Sequence, residues 1–148
     1  FERELRESIL GMASHATISA FEGGLESPES VAQLAARHPE VVGVAPYIEG
    51  EGMARRGGTL SGVLLRGVDP AQEQSVSIVG SNMVAGSLDD LSGGQFQLVI
   101  GVELARALGL APGDKVDLMI PQASVTPAGI TPRFRRFTVS GVFEIGMY

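Results

Sequence analysis

The sequence has no cysteine and no tryptophan, and only two histidines, His15 and His38. Without cysteine there are no disulfide frameworks, thiolate zinc sites or cysteine nucleophiles, and two histidines are too few for a histidine-rich metal centre. An absent cysteine is compatible with any redox compartment. Basic residues are also scarce: 11 Lys and Arg face 17 Asp and Glu, a formal charge of -6. That balance argues against a nucleic-acid partner, because neutralising phosphates requires a basic face. No apolar run approaches the roughly 18–20 residues that cross a bilayer, and no signal-peptide pattern occurs. Any membrane attachment is therefore expected outside these residues. Because the chain starts at Phe1 rather than Met and still reads as strand near Tyr148, it is expected to be a piece of a longer protein.

Hydrophobic residues make up 44% of the 148 positions and charged residues only 19%, enough to bury a core rather than remain disordered. Glycine at 20 positions and proline at 8 predict many short elements and turns rather than a helical bundle. Phe1, Leu5, Ile9 and Met12 recur at helical spacing and predict a helix over 1–12. Ala16–Phe21 alternates loosely as a strand. Ser27-Pro28 opens a helix to Arg37 with Val31, Leu34 and Ala35 on one face. Val41–Ile48 reads as an edge or bent strand because Pro46 interrupts it. Arg55-Arg56-Gly57-Gly58 resembles a hairpin tip, and Leu60–Val68 is the strand that follows, leaving at Asp69-Pro70. Further strands are expected over 95–100, 115–120 and 134–145, with a helix over 102–108 stopped by Gly109. The last strand is expected to place Phe137, Val139, Phe143 and Ile145 on one face. The fold class is α+β.

The residues capable of chemistry do not form a catalytic pattern. There is no Gly-x-Ser-x-Gly elbow. Ser14 and His15 are neighbours in a predicted strand and would point to opposite faces. His38 precedes Pro39 at a helix C-terminus, where a cation complements the dipole. Asp89-Asp90 reads as solvated acids in a turn. Gly50-Glu51-Gly52 lacks the third glycine and the strand-to-helix context of a dinucleotide loop. No Walker or EF-hand motif occurs, so no enzyme, metal or cofactor is expected.

One segment stands apart. Residues 121–132, Pro-Gln-Ala-Ser-Val-Thr-Pro-Ala-Gly-Ile-Thr-Pro, carry no charge and three prolines between two good strands. Hairpin loops usually have two to five residues, and longer ones tend to be functional or disordered. Prolines reduce the entropy lost on holding one shape, and an uncharged protrusion docks with little desolvation. Arg133, Arg135 and Arg136 follow at once and form a basic spot on an acidic body, suited to steering an acidic partner. A disordered loop with solvated arginines is the competing reading.

Several segments resemble, in order and spacing, the periplasmic domain of the LolC/LolE permeases of lipoprotein-releasing ABC transporters. They are Phe1–Leu5, Ile9-Leu10-Gly11, Val44–Ile48, Gly67–Pro70 with Gln72-Glu73-Gln74, Ile100-Gly101, Leu104-Ala105 with Leu108-Gly109, Gly113-Asp114 and Met119-Ile120-Pro121. The resemblance implies a MacB-like periplasmic domain. A Porter-like αβ lobe would span about 1–69 and 121–148, with an inserted strand-rich Sabre-like lobe over about 70–120. Helix 1–12 would continue a first transmembrane helix.

The resemblance also gives the loop a role. LolC-type members carry a hook, Pro…Thr-Pro-x-Gly-x-x-Pro, that docks the chaperone LolA beside a polar and basic pad. Pro121, Thr126, Pro127, Ala128, Gly129 and Pro132 match the hook, with Val125 and Ile130 inside it, and Arg133 and Arg135 fall at the pad. Asp117 departs from the pattern, standing where a basic pad residue is expected. Residues 67–74 lean towards LolE, so a LolF-type hybrid is implied. The implied partners are LolA, a second permease subunit, the ATPase subunit LolD and the lipoprotein substrate, at the inner membrane, with ATP hydrolysis in the separate subunit. The alternatives are a mechanotransmission domain of a MacB-like exporter, which leaves the hook unexplained, and a secreted hydrolase, which requires His15, acids and serines clustered in a pocket.

Overall fold

The computed structural model describes residues 14–120 and 133–146. The predicted helix over 1–12 and the loop over 121–132 lie outside the described residues.

The first regular element is α1, Pro28–Ala36. Proline at the first helical position suits it, since that residue needs no N–H partner. No residue of α1 is buried. Val31 and Ala35 line a groove, whereas Leu34, expected on the same face, is 67% exposed. The strand expected over 16–21 does not form: its residues pair with no strand among those described. The strand expected from Val41 begins only at Tyr47, directly after Pro46, whose missing N–H cannot join a ladder.

From there the sheet builds quickly. β1 (Tyr47–Arg56) and β2 (Thr59–Val68) form a ten-residue antiparallel hairpin whose turn is Gly57-Gly58. Gly57 has φ +57, as the mirror-image hairpin turn requires. Asp69 caps the short helix α2 (Pro70–Glu73) through the Ala71 N–H, at 3.1 Å. Then come a 3-10 turn over Gly80–Asn82, β3 (Met83–Ala85), a second 3-10 turn over Leu88–Asp90, β4 (Gln97–Gly101), α3 (Val102–Leu108), β5 (Lys115–Ile120) and β6 (Arg133–Phe143). Gly109 closes α3 in the left-handed conformation, φ 61, while the Leu110 N–H bonds back to Ala105 O at 2.8 Å.

All six strands share one sheet, in the order β2-β1-β5-β6-β3, with β4 parallel to β6. β6 is long enough for β5 to pair with its first half and β4 with its second. β1 meets β5 only over Met53–Arg55. Gly52 lies beside that crossing. A Cβ there would stand 2.5 Å from Met119 O, so the backbones approach too closely for any side chain.

α3 covers one face of the sheet. Ala105, Leu108 and Leu110 pack with Ala54, Ile100, Val116, Leu118, Val139 and Val142. Strict alternation along β6 would have put Val139 and Phe143 on this face. Instead the β4–β6 register slips between Leu98/Val139 and Val99/Gly141, leaving Ser140 as an extra residue. This bulge resets the alternation, so Val142 is buried at 6% exposure and Phe143 only half-buried.

Candidate functional site

Ile120, the last residue of β5, pairs with Arg133, the first of β6. The loop over 121–132 therefore leaves the sheet and returns to it at one place. The loop residues singled out above, Pro121, Val125, Thr126, Pro127, Ala128, Gly129, Ile130 and Pro132, lie outside the described residues. Its two roots and their surroundings are described.

Strand alternation divides the arginine run. Directly paired residues share a face. Arg135 pairs with buried Leu118 and Arg133 with Ile120, which puts both arginines on the core-side face beyond the end of the core. Arg136 pairs with Asp117, and Phe134 with Met119, on the opposite face. The basic spot expected from Arg133, Arg135 and Arg136 is thus two arginines on one side and one on the other.

On the opposite face, Arg55 of β1 is in register with Asp117, and Asp117 with Arg136. Both arginines hold the one carboxylate: Arg55 Nη2 donates at 3.2 Å, and Arg136 Nε and Nη2 donate at 2.9 and 3.4 Å. The Arg55 guanidinium also lies 4.0 Å from the centre of the Phe134 ring. Asp117, unexpected in a basic pad, thus serves to neutralise. The hydrogen bonds from Arg136, then Arg55, hold its carboxyl below the ordinary value of 3.8. A depressed carboxylate favours the fold above its unfolded-state pKa, and that contribution is lost only as pH falls through the lower folded value. Accordingly, in a carbon NMR titration the Asp117 carboxyl should protonate below the usual aspartate range. A midpoint at or above that range would contradict the triad.

On the core-side face, neither Arg133 nor Arg135 forms an ion pair with a carboxylate among the described residues. The Arg135 guanidinium sits 5.1 Å from the centre of the Phe96 ring. Phe96 meets Phe137 edge to face, at 5.7 Å and 82°. The sequence placed Phe96 inside a strand, but β4 begins at Gln97, and Phe96 adopts φ 49. Arg55 and Phe96 are site residues that sequence reasoning missed, one read as hairpin tip and the other as strand interior.

Elsewhere the candidate residues have structural roles. Asp90 closes a capping box with Ser87, and Asp89 Oδ1 accepts from Gln74 Nε2 at 2.7 Å. His38 Nδ1 accepts the Glu40 N–H at 3.3 Å. Glu51 lies within β1 rather than a phosphate loop. A groove of about 1300 Å3 runs between residues 14–25, α1 and the start of β1, lined by Ile18, Leu25, Val31, Val44 and Val68. Ser14 and His15 lie on its wall, yet among the described residues no hydrogen bond joins His15 to a serine or carboxylate; Ser14 faces Thr17, at 3.4 Å. Among the described residues no group of three His, Asp or Glu is arranged to hold a metal, and no helix is long and apolar enough to cross a membrane.

Comparison with known proteins shows the family of the chain. The MacB-like periplasmic core domain family matches residues 2–148. The lipoprotein-releasing system transmembrane protein LolC of Xylella fastidiosa (strain 9a5c) is 40% identical over 146 residues, 99% of this chain and 35% of that protein. LolC of Neisseria meningitidis serogroup B is 34% identical over 148 residues, 100% of this chain and 36% of that one. LolE of Haemophilus influenzae is 28% identical over 128 residues, 82% of this chain and 30% of that one. The chain spans about a third of the length of these relatives.

Proposed function

This chain belongs to the MacB-like periplasmic core domain family, and we propose that it is the periplasmic docking domain of a permease subunit in a lipoprotein-releasing ABC transporter. In this reading the loop over 121–132 is a proline-braced hook that enters a cavity of the soluble carrier LolA, and Arg133 and Arg135 form the pad beneath it. The domain passes an outer-membrane lipoprotein from the inner-membrane part of the permease to the carrier. The full-length protein works beside a second permease subunit, and ATP is hydrolysed by a separate subunit, LolD.

One observation carries the reading. The Ile120–Arg133 pair closes the sheet under the loop, so the loop departs from a fixed base with two exposed arginines on a single face. Uncharged residues at the tip keep desolvation small, while cations at the base raise the encounter rate and set orientation.

The two arginines separate this reading from a purely mechanical exporter domain, which needs no carrier. Arg135→Glu is expected to weaken LolA binding by about tenfold and to flatten its salt dependence, because a steering charge has been reversed. Binding measured at several salt concentrations checks this, and unchanged affinity and slope would remove the pad.

A further inference from the structure

Phe96 is the one described non-glycine residue with a positive φ, at 49°. A bulky aromatic is strained there, and such strain persists only where the surroundings enforce it. Three contacts do so. The Phe96 C=O accepts the Thr138 N–H at 2.9 Å, fixing the backbone against β6. The ring edge packs on Phe137, which is itself half-buried against the core. Its other neighbour is the Arg135 guanidinium. Despite these contacts the ring stays 45% exposed. A side chain placed only to fill the core would be inside it, and a strand residue at 96 would not need the left-handed turn.

We infer that Phe96 is a positioning residue of the docking surface. Its ring is a platform that holds Arg135 over the core-side face, extended towards an acidic partner. A guanidinium within about 6 Å of a ring centre is attracted to the ring's electron-rich face. A contact through the ring face leaves the guanidinium N–H donors free for a partner, since the ring accepts no conventional hydrogen bond from them. Arg135 is thereby ordered before the partner arrives, and less side-chain freedom is lost on binding. The inference rests on the docking reading above and deepens it. The ring, 45% exposed, offers the same partner an apolar contact.

The test is a double-mutant cycle on the full chain, with purified LolA as probe and thermal melting as the control for folding. Glycine accepts φ +49 without strain, so Phe96→Gly removes the ring while leaving the backbone turn favourable; Phe96→Asn is the second variant, since asparagine tolerates the same region. Phe96→Gly is expected to weaken LolA binding about three- to tenfold and Phe96→Tyr to restore it, as expected for a cation–ring contact. Combined with Arg135→Ala, Phe96→Gly should add little further loss, because the two act as one unit. Wild-type affinity in both Phe96→Gly and Phe96→Asn would overturn the platform, as would losses fully additive with Arg135→Ala. If those results came with weakened binding in Arg135→Glu, the docking reading would stand without the platform. If Arg135→Glu bound normally, both would fall.

Discussion

Replacing residues 121–132 with Asn-Gly should lower LolA affinity about 100-fold or more while leaving the domain at least as stable. The stability half follows from register. Ile120 and Arg133 are direct partners, so a two-residue mirror-image turn can join them without altering either strand. Shortening the connection from twelve residues to two also reduces closure entropy, by about 1–2 kcal/mol. The affinity half follows from where binding energy concentrates. A few central residues carry most of it at typical interfaces, each costing about 2 kcal/mol or more when removed. The hook is proposed to supply all of the inserted residues, leaving the pad with charge steering and the Phe96–Arg135 contact. A variant that melts no lower than the parent yet fails to bind separates docking from folding. One that binds normally ends the hook account.

The largest effect on stability is expected at Gly141. A Cβ there would lie 2.5 Å from Met83 Cε, 2.8 Å from Ala85 O and 3.2 Å from Val99 Cγ1. The methionine end can swing aside, but the Ala85 carbonyl belongs to the backbone of β3, which pairs with β6 at this point. Gly141→Val therefore forces the edge strand β3 away from β6. Overpacking typically costs about 1–3 kcal/mol, and the clash with a backbone carbonyl puts this substitution at the upper end. For a domain of this size that lowers the melting temperature by roughly 10 °C. By contrast, Gly62→Ala, where an added Cβ meets nothing within 4 Å, should leave the melt nearly unchanged. Equal melts for the two variants would show that the close approach of β3 and β6 is not a constraint.

These glycines show where a sequence can be read and where it cannot. The helix over 102–108 with Gly109 as its stop, the strand over 115–120 and the hairpin tip at Gly57-Gly58 were all legible, because local turn chemistry and periodicity decide them. Gly141 was not, since its requirement comes from β3 and β4, about 40–60 residues away in sequence. The bulge at Ser140 was invisible for the same reason, and it moved the buried position from Phe143 to Val142. The strand expected over 16–21 has the right alternation but no described neighbour to bond with, and alternation alone does not make a sheet.

The docking surface was partly legible too. Residues 133, 135 and 136 were recognisable as a basic run, but an i, i+2 alternation places only two of them on one face. Asp117 could be seen as a departure from the expected pad, whereas its two partners, Arg55 and Arg136, become clear only from the β1–β5–β6 register. Phe96 carried no sequence signal, since nothing in Gln95–Leu98 foretells a left-handed turn at an aromatic residue.

The absence of cysteine makes the central claim directly testable. Ala128→Cys would introduce a single thiol at the proposed tip of the hook, and Ser61→Cys, on the β1–β2 hairpin, would serve as the control. With a short thiol-to-amine crosslinker, the account predicts an efficient adduct between position 128 and LolA, none from position 61, and loss of the adduct in the presence of excess unlabelled parent chain. Adduct formation from position 61 but not from position 128 would contradict it.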